Sequence, residues 1–160
     1  MVSRTLILLL LVFGPCRLFS QEIRSFSMVE LDSLIKTTTQ PLVVSFWATW
    51  CAPCINEIPW IEKAVMANKD KGVELWLVSL NGPGYFPEKL RQFIREKGYT
   101  AQFFWLKDQD GNDYGKRIHP RWRGGLPANL FVHQAKGYRK FLERQVTDRQ
   151  AFYEIEQMLK

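Results

Sequence analysis

The chain has 160 residues, 46% hydrophobic and 14% aromatic, with 22 Lys+Arg against 16 Asp+Glu. That composition supplies one hydrophobic core and excludes a disordered or fibrous chain, while ten Gly and eight Pro without period or repeat exclude collagen-like, low-complexity and solenoid architectures. The formal charge of +6 is a weak argument for nucleic acid, because it includes Arg4 and Arg17 in an N-terminal stretch that reads as a targeting segment.

Met1-Val2-Ser3-Arg4 followed by an apolar run from Leu6 to Phe13 has the charged start and short hydrophobic stretch of a secretory signal. The run is well short of the ~20 apolar residues that cross a bilayer. Residues 1–20 are therefore expected to be a signal peptide cut after Ser20, with an uncleaved anchor as the alternative; the bulk of Leu18 weakens that cleavage site. Cys16 follows Pro15 rather than a run of small residues, which argues against lipid attachment there. Residues 21–160 are then one domain in a periplasmic or other extracytoplasmic space, with Cys51 and Cys54 as its cysteines.

Within that domain Ser27-Met28-Val29-Glu30 has the form of a capping box, and Leu31, Leu34 and Ile35 at helical spacing predict a helix to about residue 36. Pro41-Leu42-Val43-Val44-Ser45-Phe46-Trp47 is nearly continuous in apolar character, as a central strand covered on both faces would be. Ile55, Ile58, Ile61 and Val65 mark a helix that starts at the cysteines and ends near Lys69. A second buried strand is predicted over 73–80, then a loop at Asn81-Gly82-Pro83-Gly84. The next helix takes Pro87 in its first turn and Leu90, Phe93 and Ile94 as its inner face, and Gly98 stops it. Phe103-Phe104-Trp105-Leu106 reads as a short strand, and residues 108–115 are turn-rich. Residues 128–133 have strand character, and Ala135-Lys136-Gly137 closes them into a hairpin with 138–146. Thr147 with Gln150 caps a last helix whose core face is Phe152, Ile155 and Leu159. Alternating strand and helix in the first half requires parallel strands joined by crossover helices, and the hairpin adds antiparallel ones. The expected class is α/β, a mixed central β-sheet flanked by helices on both faces.

Two cysteines three apart at a helix start lie on neighbouring turns, close enough to form a disulfide. Unpaired N–H groups and the positive helix end stabilise a thiolate at Cys51, which makes it the attacking thiol, and Cys54 is placed to attack the resulting mixed disulfide and release the partner. A purely structural bridge closing so small a loop would add little stability. A zinc site would need two further ligands where the domain has only His119 and His133, so no metal and no cofactor are expected.

Val44-Ser45-Phe46-Trp47-Ala48-Thr49-Trp50-Cys51-Ala52-Pro53-Cys54 resembles the active-site strand and motif of the thioredoxin fold. Pro59 resembles the proline that kinks the active-site helix there, and Leu126-Pro127 the cis-proline loop that faces the disulfide. The step Glu57-Ile58-Pro59, the exported context and Trp122 ahead of Gly125-Leu126-Pro127 are most similar to the TlpA/ResA-type subgroup. The resemblance spans roughly residues 27–160 and implies a thioredoxin-like fold acting as an exported thiol–disulfide oxidoreductase, with reduction of partner disulfides as the favoured direction and oxidation as the alternative, since Ala52-Pro53 does not decide between them. It implies Cys51 and Cys54 as the catalytic redox pair, a Leu126 backbone that pairs with an extended substrate segment, and a cis-Pro127 that shields the thiolate. Trp50 is then a docking aromatic at the rim, the alternative being a half-buried packing residue; Trp47, Trp60, Trp76 and Trp105 are read as core or partial core. The expected partners are disulfide-containing exported proteins or an apocytochrome, with a membrane-bound thiol donor, no nucleic acid, and a monomeric chain.

Two positions depart from the pattern. Ser45 stands where thioredoxins carry a buried Asp, and Leu80-Asn81-Gly82-Pro83 lies where the subgroup often places a Glu. Glu57 is the nearest remaining proton acceptor for Cys54, although a solvated surface carboxylate is the favoured reading for it. Lys63, Lys69 and Lys71 read as a solvated face, His119 as a loop or capping histidine, and Arg117, Arg121 and Arg123 as a modest basic cluster. A reading from another class keeps the fold but not the chemistry: a redox-silent binding module that docks partners on Trp50 and the Pro127 loop.

Overall fold

The computed structural model describes residues 22–109 and 114–160. The expectations for a signal, its cleavage and Cys16 fall on residues 1–20 and lie outside the described residues. The elements run β1 (Ile23–Phe26), α1 (Met28–Thr37), β2 (Leu42–Trp47), α2 (Ala52–Met66), β3 (Glu74–Ser79), α3 (Glu88–Lys97), β4 (Gln102–Leu106), β5 (Ala128–His133), β6 (Tyr138–Leu142) and α4 (Asp148–Leu159). One six-stranded sheet has the order β1-β4-β3-β2-β5-β6. β1, β4, β3 and β2 are mutually parallel neighbours, while β5 is antiparallel to both β2 and β6. This is the expected mixed sheet, with crossover helices α2 and α3 between its parallel strands.

The run in β2 is apolar except for the buried Ser45 because the strand is buried on both faces. Val43 and Trp47 point into a core with Ile58 and Ile61 of α2, Leu90 and Ile94 of α3, and Ile155 and Met158 of α4. Leu42, Val44 and Phe46 point the other way, onto Met28, Leu31 and Ile35 of α1 and the buried Trp122. The two-residue period of the strand thus divides one continuous hydrophobic string between two layers.

Several elements differ from the sequence expectation by more than a residue. β1 was not anticipated: Ile23-Arg24-Ser25-Phe26 is short and half polar, and it is a strand because β4 offers a parallel partner in the register Ile23 to Phe103. α2 ends at Met66 instead of near Lys69, and a separate 3₁₀ turn, Lys69–Lys71, is stopped by Gly72 at φ 75°. Pro87 precedes α3 as its cap, after a cis Phe86–Pro87 bond, so the first helical residue is Glu88. β6 stops at Leu142, short of Val146, whose N–H is drawn off to the side chain of Glu57.

The capping box on α1 is complete: Glu30 N–H donates to Ser27 Oγ at 3.1 Å, and Ser27 N–H donates back to Glu30 Oε2 at 2.6 Å. Ser27→Ala should therefore lower stability by about 1 kcal/mol, measured by denaturant unfolding, without touching the cysteine chemistry.

Candidate active site

The sequence at the end of β2 sets the site. The strand stops at Trp47, the chain turns through Ala48-Thr49-Trp50 with Cys51 N–H donating to Ala48 O at 3.0 Å, and α2 begins at Ala52. Cys51 is the N-cap of that helix, at φ −91° and ψ 90°, and its sulfur accepts the N–H of Cys54 at 3.3 Å. The two cysteines form a disulfide with Cα atoms 5.3 Å apart. No acidic residue occupies the first turn of α2, so the helix dipole favours a negative sulfur at Cys51 unopposed by a neighbouring carboxylate on that turn. Cys51 keeps 5% of its surface in solvent and Cys54 none, so both are buried and Cys51 is the less covered of the two.

The cis Leu126–Pro127 bond lies immediately before β5. Because Phe46 pairs with Ala128, Leu126 and Pro127 sit beside the end of β2 from which the cysteine turn departs. Leu126 is partly buried against both core layers. Trp122 braces the loop: its ring is fully buried 4.5 Å from Phe46, and its Nε1–H donates to Gly125 O at 2.8 Å. Trp50 is 66% exposed, at the rim rather than in a packing position. Trp47, Trp76 and Trp105 are buried and Trp60 is partly buried. His119 is a loop residue, stacked on Phe141 at 4.8 Å with Nδ1 accepting Arg121 N–H, and Arg117, Arg121 and Arg123 are exposed.

The surface reading of Glu57 is overturned. It lies one turn after Cys54 on the inward face of α2, and it is fully buried. Oε1 accepts Asn129 Nδ2–H at 2.8 Å and Oε2 accepts Val146 N–H at 2.7 Å. Burial pushes its pKa up to about 7; the two donated hydrogen bonds and the Arg144 charge oppose that rise without cancelling it. Amphipathic periodicity alone did not separate this carboxylate from the exposed residues around it, because its partners come from β5 and from the segment after β6. The sequence signals are the Asn in the apolar run 128–132 and the spacing of Glu57, three after Cys54 and four before Ile61. Ser45, which stands where thioredoxins carry a buried Asp, is fully buried and pairs in register with Asn129, the residue that donates to Glu57.

A second buried amide, also unforeseen, is Asn81, in the stretch where the subgroup often has Glu. It hydrogen-bonds both the backbone and the hydroxyl of Thr49 in the cysteine turn.

The model of the AhpC/TSA family matches residues 16–136. A thiol-disulfide oxidoreductase ResA of Oceanobacillus iheyensis is 46% identical over 91 residues, covering 57% of this chain and 43% of the relative. The chain spans about half the length of the curated relatives it matches. Among solved structures, a thioredoxin-related protein from Neisseria meningitidis serogroup B superposes with a TM-score of 0.63 at 20% identity, covering 76% of this chain and 86% of that one. A secreted Mycobacterium tuberculosis disulfide oxidoreductase homologous to E. coli DsbE gives 0.54 at 19% identity, covering 75% and 83%. These likenesses show a thioredoxin-like fold.

Proposed function

The chain belongs to the AhpC/TSA family, and from that footing we propose that it is an exported thiol–disulfide oxidoreductase that reduces disulfides of extracytoplasmic proteins through Cys51 and Cys54. The observation that carries the reading is the placement of a buried disulfide at the N-terminus of α2, with Cys51 as its less covered member and the acid Glu57 one turn after Cys54. In the reduced protein the Cys51 thiolate attacks a partner disulfide, forming a mixed disulfide and expelling one partner thiolate. Cys54 then passes its proton to Glu57 and attacks the Cys51 sulfur, expelling the second partner thiolate and leaving the Cys51–Cys54 bond. Two electrons pass to the partner, so each cycle requires a thiol donor to reduce the pair again. A membrane-bound donor and an exported or apocytochrome substrate fit the signal-like residues 1–20.

Asn129 suits the proton step. Its Nδ2–H serves the carboxylate, and its buried Oδ1, which holds no hydrogen bond, can accept the acid proton of neutral Glu57 once the amide turns over.

The test is the midpoint potential of the pair in purified residues 21–160, read by alkylation across thiol redox buffers. A value near or below about −250 mV supports the reductant, and one near −120 mV reverses the direction of flow. A pair that shows no reversible two-electron transition would leave the binding-module reading in its place. Trp50→Ala should raise KM for a protein disulfide roughly 5- to 30-fold while leaving reduction of a small disulfide unchanged, since an exposed aromatic acts on docking.

A further inference from the structure

Asn81 lies two residues beyond β3, at the sheet edge where the parallel strands β2, β3 and β4 all end, and it has no exposed surface. Its side chain is bonded on both atoms. Oδ1 accepts Thr49 N–H at 3.1 Å and Ser79 Oγ–H at 2.9 Å, and Nδ2–H donates to Thr49 Oγ1 at 2.7 Å. Its backbone is held as well: the N–H donates to Ser79 Oγ at 3.2 Å, and the carbonyl accepts Trp105 Nε1–H at 2.7 Å and Gln109 Nε2–H at 3.1 Å. Leu80 N–H donates to Trp47 O at 2.8 Å, which carries the β2–β3 ladder up to this point and brings Asn81 alongside the turn.

From this network we propose that Asn81 is a positioning residue for Cys51. Thr49 is the first polar anchor after the strand. Trp50, 66% exposed, adds little burial to the turn, and Cys51 follows at once as the N-cap of α2. The amide therefore ties both ends of Thr49 to the β3 edge and thereby sets the turn that holds the Cys51 sulfur against the N–H groups of the helix start. A loose turn would take the sulfur out of register with those donors, and its thiol would return toward ordinary cysteine behaviour. A fully buried Asn whose side-chain oxygen and nitrogen both hold hydrogen bonds, at a place where an apolar side chain would fill the same space, is accounted for by that task.

The proposal rests on Cys51 being the attacking thiol, and the test separates the two claims. The reduced protein is treated with iodoacetamide at pH 7, and alkylation of each cysteine is followed by peptide mass spectrometry, with melting measured in parallel. Asn81→Ala should slow Cys51 alkylation roughly three- to tenfold, the loss expected as the thiolate fraction falls back toward that of an unperturbed thiol. Thr49→Val should act in the same direction and less strongly, and Thr49→Ser, which keeps the hydroxyl, should behave as wild type. Leu31→Val, a truncation in the opposite core layer, should lower melting with no change in alkylation. Unchanged Cys51 alkylation in both Asn81→Ala and Thr49→Val, with melting lowered, would overturn the positioning role. Faster alkylation of Cys54 than Cys51 in the wild type would overturn the reading of Cys51 as nucleophile, and the proposal with it.

Discussion

Replacing Cys51 with serine should abolish disulfide exchange, by at least roughly 10³-fold, because a serine hydroxyl at a helix N-terminus is not ionised near neutral pH and leaves a partner disulfide unattacked. Replacing Cys54 should do something different. Cys51 remains at the N-cap of α2 with its exposure to solvent, so the first attack proceeds, but nothing behind it can resolve the product. Cys54→Ser should therefore accumulate mixed disulfides with partner proteins, visible as reducible higher-mass species on non-reducing gels, and their isolation would identify the substrates. The expected asymmetry follows from position: Cys51 caps the start of α2 and is the less covered of the two, whereas Cys54 has no exposed surface. Equal alkylation-resistant trapping by both single variants, or by neither, would contradict the assignment of roles.

Glu57→Gln should slow the resolving attack on the order of 10²-fold at pH 7, with the deficit shrinking as pH rises and Cys54 ionises unaided. In the wild type the same step should rise with pH through about 7, where the buried carboxyl gives up its proton and becomes able to accept that of Cys54. Single-turnover decay of a preformed Cys51 mixed disulfide between pH 5 and 9 measures both. A constant ratio of variant to wild type across that range would remove Glu57 from the proton path.

Stability supplies an independent check. The folded pKa of Glu57, about 7, lies above the 4.5 of an unperturbed glutamate, so between those values the native state holds a proton that the unfolded chain has released. Wild-type stability should therefore fall as pH rises from about 4.5 to 7 and level off above, a cost on the order of 3 kcal/mol once the buried group is charged. Glutamine carries no such charge, and a turned Asn129 amide can accept its Nε2–H. Glu57→Gln should be the more stable protein at pH 8, with the difference vanishing near pH 4.5, as denaturant melts at the two pH values would show. The variant thus gains stability where it loses activity, which a simple packing role for Glu57 would not produce.

Local physics was enough to read a good part of this molecule from its residues. The doubly buried β2 is written in a nearly continuous apolar run, α1 in a capping box, and the disulfide in two cysteines three apart where a strand hands over to a helix. Each of these depends on neighbours within a few positions along the chain, so each survives translation from string to structure. β1 could not be read in that way, since four mixed residues become a strand only when β4 lies beside them. Nor could Glu57, whose burial depends on Asn129, 72 residues away, and on Val146, 89 residues away. Asn81 reads locally as a loop residue ahead of Gly-Pro-Gly, and becomes a clamp on the cysteine turn only when β3 pairs with β2. Short-range periodicity and capping thus placed the disulfide at the start of α2. The environment of the acid and the hold on the turn belong to the packing of the sheet, because desolvation and buried hydrogen bonds are made by groups distant in sequence.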